Sequence, residues 1–177
     1  MKFLMMALLV FVTCSCFHSR REHFCMADQL VTKNSKRIQS EGFEPLFSGG
    51  SYRNTIRLVS MGYTSKVHRL SSIEAARAFI LNEVENFIQP FNEEKRIRMY
   101  LHNYPFTADN LELTFCFFDE KNKPLLPPNL AQVNCITGFV TYYAWDEKTK
   151  NLVRVHAEQF EDAVKRNNSH KKTGTQE

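Results

Sequence analysis

The side chains best suited to covalent chemistry are two cysteines in apolar, strand-like segments, Cys116 and Cys135. A thiolate becomes an effective nucleophile when a neighbouring base takes its proton and an acceptor orients that base. His102 or His156 would serve as the base and Asp109 as the orienting group. Nothing in their spacing favours this arrangement, and cysteines within apolar strands are commonly packing residues. We therefore expect no enzyme, and a cysteine-dependent hydrolase or effector is the alternative.

Motifs for metal ions, cofactors and nucleic acids are absent from the sequence. There is no HExxH, no pair of CxxC motifs and no EF-hand loop, so we expect no metal and no cofactor. The SGGS stretch at residues 48–51 lacks the Gly-Lys-Ser/Thr that completes a phosphate-binding loop. The net charge of +4 over 177 residues is mild and is not gathered into a basic stripe, which argues against a nucleic-acid partner.

The first 16 residues have the pattern of an export signal. One lysine precedes an unbroken apolar run over residues 3–12, and a helix needs about 20 apolar residues to cross a bilayer. Thr13 and Ser15 are small residues placed for cleavage just before Cys16. This arrangement resembles a bacterial lipoprotein signal, which implies lipid attachment at Cys16 and a membrane anchor. Ordinary cleavage, giving a freely secreted protein, and an intracellular protein with a buried N-terminal helix are the alternatives.

Composition divides the remaining chain into three parts. Residues 17–54 are polar and mixed in charge without a sustained period, which predicts a tether with little regular structure. Residues 55–167 carry the hydrophobic patterning of one domain, and a composition of 43% hydrophobic and 24% charged residues is ordinary for a globular protein. The polar tail over residues 168–177 is expected to be disordered.

The strongest periodic signal in that domain is an amphipathic helix. Ser71 and Glu74 match a capping box, in which each side chain satisfies a free backbone N–H of the first turn. Apolar residues then recur at helical spacing from Ile73 to Ile88. Pro90 is expected to end the helix because proline has no N–H to donate.

Strand-like alternation surrounds this helix and predicts an α+β fold. The alternating segments are residues 55–64, 95–103, 111–119, 133–145 and 152–156, and a short helix is expected at 157–165. This order predicts an antiparallel sheet of about five strands packed on one long helix. It resembles the cystatin-like roll, a resemblance of element order that implies the fold alone. The protease-inhibiting loop of cystatins, Gln-x-Val-x-Gly, is not matched by QVNCITG at residues 132–138.

Side-chain alternation predicts an aromatic face on this sheet. Placing Cys116 opposite Cys135 brings the two cysteines close enough for a disulfide in an oxidising compartment, and two reduced, packed cysteines are the alternative. The same register turns aromatic and basic side chains away from the long helix. The predicted face contains Arg96, Arg98, Tyr100, Phe118, Phe139, Tyr143 and Trp145.

An exposed aromatic face is expected to be either covered or used. The tether or the terminal helix would cover it, or the face would bind a peptide, a lipid, a glycan or a partner protein through its aromatic and arginine side chains. The sequence therefore predicts a non-enzymatic binding or scaffolding protein of the cell envelope or the extracellular space.

Overall fold

The structure is a computed structural model that describes residues 22–52 and 54–173. In these residues the chain forms three helices, which are α1 (residues 22–40), α2 (Ile73–Glu93) and α3 (Phe160–Thr173). Single 3₁₀ turns occur at Arg98–Tyr100 and Ala108–Asn110. The strands are β1 (Glu44–Ser51), β2 (Leu58–Ser65), β3 (Leu111–Phe117), β4 (Gln132–Ile136), β5 (Phe139–Asp146) and β6 (Asn151–Gln159).

All six strands belong to one mixed sheet. They lie in the order β1–β2–β3–β4–β5–β6, and β2 and β3 are parallel whereas every other neighbouring pair is antiparallel. Because α2 crosses over between β2 and β3, the chain enters β3 in the same direction as β2. The α+β class is confirmed. The prediction of about five strands, all antiparallel, is wrong, and the mixed sheet departs from a cystatin-like roll.

The segment expected to be a polar tether instead contains α1 and β1 over much of its length. Ile38 of α1 is fully buried, and the Asn34 side chain donates to the backbone carbonyl of Phe87 at 3.3 Å. Arg37 forms a 2.7 Å ion pair with the buried carboxylate of Glu83 on α2. Charged residues interrupt the apolar residues of α1, so its sequence shows no clear helical period. The helix is stabilised by packing its buried face beside α2.

The predicted strand over residues 95–103 is wrong, because the chain makes a 3₁₀ turn there. Ile97 and Leu101 are buried, while Met99 between them is 77% exposed. The four-residue spacing of Ile97 and Leu101 suits a helical turn as well as a strand, and Leu101 makes only a single bridge, to Ile56.

The long helix was located correctly, but both of its ends differ from the prediction. Ser72, and not Ser71, caps it, because the Ala75 N–H donates to the Ser72 hydroxyl at 3.1 Å. The helix continues past Pro90 to Glu93, and the N–H of Glu94 donates to the Pro90 carbonyl at 3.2 Å. A proline one turn from the end disturbs little of the helix that follows.

The core lies between one face of the sheet and the helices. β3 contributes Leu111, Leu113, Phe115 and Phe117, and α2 contributes Ala76, Ile80, Val84 and Phe87. Ala163 of α3 is buried in the same core. β6 extends to Gln159 and α3 to Thr173, so the helix predicted at residues 157–165 begins later and reaches into the range expected to be disordered.

The predicted export signal over residues 1–16, with Cys16, lies outside the described residues. Within the residues that the structure describes, no helix combines the length and the apolar character needed to cross a membrane.

Candidate functional site

A groove of about 950 Å³ lies between the second half of α2 and the start of α3. This volume is at the upper end of the range found for small-molecule sites, roughly 300–1,000 Å³. Five parts of the chain form its walls: α2, the first 3₁₀ turn, the segment around the second 3₁₀ turn, the β4–β5 turn and the β6–α3 junction. The lining residues are Glu85, Ile88, Gln89, Asn92, Glu93, Arg98, Thr107, Ala108, Asp109, Gly138, Gln159, Phe160, Glu161 and Asp162.

The groove has an apolar floor between polar walls. Its α2 residues are separated by intervals of one, three and four, which places them on one side of the helix. Ile88 of α2 and Phe160 at the start of α3 are partly buried and pack against the core. Each therefore offers part of an apolar side chain to the groove.

The β4–β5 turn fixes the α3 side of the groove. Thr137 and Gly138 have φ angles of 44° and 81°, and these two residues form the tight turn that pairs β4 with β5. The N–H of Gly138 donates to the Ala108 carbonyl at 3.1 Å, and the N–H of Phe160 donates to the Gly138 carbonyl at 2.8 Å. One turn therefore joins the 3₁₀ wall to the first residue of α3.

Asn92 and Arg98 fix the α2 side of the groove. The Asn92 amide accepts from the N–H of Phe106 at 2.7 Å and donates to the Phe106 carbonyl at 2.9 Å. The Arg98 guanidinium donates to the Asn92 carbonyl at 3.2 and 3.0 Å and lies 4.8 Å from the ring centroid of Tyr104. The one cationic residue of the lining is therefore engaged by the protein.

Carboxylates dominate the charge of the groove. The five acidic lining residues are Glu85, Glu93, Asp109, Glu161 and Asp162. Gln89 donates to Glu93 at 2.6 Å, and Lys165 pairs with Asp162 at 3.1 Å on the exposed surface.

The other three carboxylates have no such partner. Those of Glu85, Asp109 and Glu161 accept no hydrogen bond and form no salt bridge within residues 22–52 and 54–173. They come from α2, the second 3₁₀ turn and α3 respectively. The groove thus presents unpaired negative charge from three elements.

A buried ionic network holds the end of β6 next to the groove. The Glu158 carboxylate accepts from Arg77 of α2 at 2.7 Å and from the Tyr142 hydroxyl at 2.8 Å. Arg166 of α3 lies 3.3 Å from its other oxygen. Burial raises the pKa of Glu158, but the hydrogen bonds from Arg77 and Tyr142 outweigh burial and leave that pKa below its ordinary value. Glu158 is therefore ionised at neutral pH and ties α2, β5 and α3 together.

Four of the residues predicted for the aromatic face lie on the outer side of the sheet. Phe118, Phe139, Tyr143 and Trp145 alternate with core residues, and Phe139 is 50% exposed. The three described helices all pack on the opposite side of the sheet, where α1 and α3 each contact α2.

The other three residues predicted for this face do not lie on it. Arg96 pairs with Glu94 at 3.1 Å, and Arg98 lines the groove. The Tyr100 ring stacks on His23 of α1 at 4.7 Å. Arg98 and Tyr100 belong to the 3₁₀ turn after α2 and Arg96 lies just before it, so these residues do not form the neighbouring strand that was predicted.

The register predicted for the two cysteines is wrong. Cys116 lies opposite Gln132 and Cys135 opposite Leu113, so the two side chains occupy opposite faces of the sheet, and both are free thiols. The tight turn at residues 137–138 splits the segment that was predicted as one long strand. Because this turn makes Ile136 and Phe139 share a face, the alternation in β4 is reversed and Cys135 points into the core.

Neither cysteine has the surroundings of a nucleophile. Burial raises the pKa of the Cys135 thiol to about 12 and also raises the pKa of the Cys116 thiol. The Cys116 thiol donates to the Gln132 side chain at 3.6 Å. In the described part of the chain, neither thiol is hydrogen-bonded to a histidine.

The bases proposed for these thiols lie elsewhere. His102 is 3.4 Å from the Thr55 hydroxyl, and His156 contacts the Tyr142 ring and lies 3.7 Å from Glu158. Asp109 lies on the 3₁₀ turn at the groove. The hypothetical catalytic groups are therefore not assembled in this structure. No cluster of three or more His, Cys, Asp or Glu side chains suited to a metal ion occurs among the described residues.

Comparison of the chain with protein-family models, with curated proteins and with solved structures gives no match. The groove itself was missed by the sequence analysis. Glu85, Asp109 and Glu161 line the same groove only because distant parts of the chain come together in the fold.

Proposed function

We propose that this chain is an exported, non-enzymatic binding protein whose ligand occupies the groove between α2 and α3. The observation that carries the proposal is the combination of an apolar floor, provided by Ile88 and Phe160, with walls held by backbone hydrogen bonds. A concave apolar site with a few well-placed polar groups is the usual form of a ligand pocket.

The non-enzymatic part of the proposal is supported by the state of the cysteines. A catalytic cysteine needs a thiolate, and burial raises the pKa of both Cys116 and Cys135. The lining of the groove contains no histidine or cysteine, and the Thr107 hydroxyl in it donates to the Asn110 side chain at 3.4 Å and accepts from the N–H of Asp109 at 3.3 Å. Binding is the chemistry that this set of side chains supports.

Export is supported by the apolar run at residues 3–12 and by the small residues before Cys16. We propose that the chain is cleaved before Cys16 and is either lipid-anchored through that cysteine or secreted. Fractionation followed by mass analysis of the N-terminus tests this. A chain that begins at Cys16, acylated or free, is the expected result, and a native chain that begins at Met1 would contradict export.

A ligand screen that compares two tryptophan variants tests the binding function. Gln89 is an exposed residue of the groove, so Gln89→Trp places a large ring in the groove without disturbing the core. Thr141→Trp places the same ring on the outer face of the sheet and is the matched control. The full chain and both variants are screened by ligand-observed NMR against a mixed library of small molecules and short peptides.

The expected result is a set of ligands that bind the wild-type chain and the Thr141→Trp variant but not the Gln89→Trp variant. Ligands that bind all three proteins equally, or that are lost only in Thr141→Trp, would place binding outside the groove. A screen without any ligand would also contradict the proposal.

A further inference from the structure

We infer that the ligand of this groove is a basic peptide segment, bound in an extended conformation, with an apolar side chain midway between two basic ones. This inference rests on the proposed binding function and specifies its ligand. It comes from three features of the lining: its charge, the spacing of its carboxylates and the position of its apolar floor.

The negative charge of the lining favours a positively charged ligand. The lining contains five carboxylates and one guanidinium. That guanidinium already donates to the Asn92 carbonyl and lies over the ring of Tyr104. The carboxylates of Glu85, Asp109 and Glu161 have no cationic partner in the described chain. A basic ligand would pair with them, and an acidic ligand would be repelled.

The spacing of the carboxylates on α2 selects an extended chain. Glu85 and Glu93 are eight residues apart, which corresponds to about 12 Å along a helix that rises 1.5 Å per residue. An extended peptide rises about 3.3 Å per residue, and its alternate side chains point the same way. Two basic residues four positions apart therefore span about 13 Å on one side of the peptide and match the two glutamates.

The apolar floor selects the residue between them. Ile88 lies between Glu85 and Glu93 on α2, and Phe160 faces the groove from the start of α3. In an extended peptide the side chain midway between two residues four positions apart points in the same direction as both. An apolar side chain at that position would cover the exposed parts of Ile88 and Phe160.

A peptide fits this lining better than a small amine does. One ammonium group would pair with a single carboxylate, whereas the unpaired carboxylates come from α2, the 3₁₀ turn and α3. A chain with two cations and an apolar anchor pairs with Glu85 and Glu93 of α2 and covers Phe160 of α3, so it contacts two of these elements at once. Since each further contact forms within a ligand that is already bound, the contacts together give a higher affinity than any one of them gives alone.

The test uses a synthetic peptide, acetyl-Gly-Lys-Ser-Leu-Ser-Lys-Gly-amide, labelled with a fluorophore, and anisotropy measured with the full chain. Three comparison peptides replace both Lys by Glu, replace Leu by Ser, or place the two Lys only two positions apart. The small-molecule comparison is butylamine, used as a competitor. The protein variants are Glu85→Gln and Glu93→Gln, singly and together, with the exposed Glu147→Gln as a matched control far along the sequence.

We expect the Lys-Ser-Leu-Ser-Lys peptide to bind best, with affinity that falls as salt is added. Each groove variant should weaken binding about threefold to tenfold, the double variant should weaken it further, and Glu147→Gln should leave it unchanged. The inference would be overturned if the Glu-containing or the Ser-substituted peptide bound as tightly as the Lys-Ser-Leu-Ser-Lys peptide. It would also be overturned if butylamine displaced the labelled peptide as effectively as the unlabelled peptide does, or if Glu147→Gln weakened binding as much as the groove variants.

The failure of this inference is distinguishable from failure of the proposed function. If library ligands are lost in Gln89→Trp but the basic peptide does not bind, the groove is a binding site and the ligand class is wrong. If the groove binds neither the peptide nor any library ligand, both proposals fail.

Discussion

Arg77 of α2 and Glu158 of β6 form a 2.7 Å ion pair whose side chains are only 5% and 2% exposed. These residues are 81 positions apart, and the Tyr142 hydroxyl donates to the same Glu158 oxygen. Burying two charges is costly, so such a pair is held in place by the hydrogen bonds that surround it. The pair connects the long helix to the end of the last strand, where Gln159 next to Glu158 lines the groove.

Removing one partner of this pair should destabilise the fold strongly. Glu158→Leu leaves Arg77 buried without its counter-ion, and we expect the free energy of unfolding to fall by about 3–5 kcal/mol. The double variant Arg77→Met, Glu158→Leu should recover most of that loss, because no charge is then left buried. Urea denaturation measures both effects.

The exposed pair between Lys165 and Asp162 provides the control for this experiment. Its side chains are 73% and 52% exposed, and Lys165→Ala should cost less than about 1 kcal/mol. If Glu158→Leu were no more destabilising than Lys165→Ala, the buried network would not have the role assigned to it.

The stability contributed by the Glu158 charge should depend on pH in the acid range. The pKa of this carboxyl is below its ordinary value in the folded protein, since hydrogen bonds from Arg77 and Tyr142 outweigh the effect of burial. Its contribution is therefore complete above the unfolded-state value of about 4.3 and declines as the pH falls below that value toward the folded-state pKa.

Comparison with Glu158→Gln isolates this contribution, because the other carboxyl groups titrate in both proteins. The difference in unfolding free energy between wild type and variant should be constant from pH 7 to about pH 5.5 and should shrink below about pH 4.5. A difference that stayed constant down to pH 3 would show that Glu158 is not stabilised in its ionised form.

Gly138 should tolerate no side chain. Its φ of 81° is unfavourable for residues with a Cβ, and a Cβ there would overlap the Asp109 carboxylate. We expect Gly138→Ala to lower the unfolding free energy by at least about 1–2 kcal/mol and to weaken ligand binding in the groove. Gly49→Ala is the matched control, because a Cβ at Gly49 meets open space, and thermal melts of both variants give the comparison. Equal melting temperatures would refute the strained turn.

Trp145 should report whether a ligand reaches the outer face of the sheet. It is the single tryptophan of the chain and is partly exposed on β5, away from the helices. Acrylamide should quench its emission, and a ligand bound in the groove should leave both the emission maximum and the quenching unchanged. A spectral shift on addition of a groove ligand would indicate binding on the aromatic face instead.

Local patterns predicted the parts of this fold that depend on one helix or one strand. The apolar stripe from Ile73 to Ile88 located α2, and the alternation of Leu113, Phe115 and Phe117 identified the buried side of β3. These patterns are visible because each element buries one face against a single core.

The errors arose where pairing between strands decides the structure. The alternation of residues 133–145 does not reveal the turn at Thr137 and Gly138, and this turn reverses the faces of β4 so that Cys135 points into the core. The parallel pairing of β2 with β3 depends on the path of α2, and alternation carries no information about strand direction. The groove depends on both features, since it joins α2, the β4–β5 turn and α3.

Chemical-shift mapping of the full chain with the Lys-Ser-Leu-Ser-Lys peptide tests most directly whether the groove is the binding surface. The groove proposal predicts that the largest amide shifts occur at Gln89, Ala108, Gly138 and Phe160, and that they disappear in Gln89→Trp. Shifts concentrated at Thr114, Thr141 and Tyr143, on the outer face of the sheet, would contradict it.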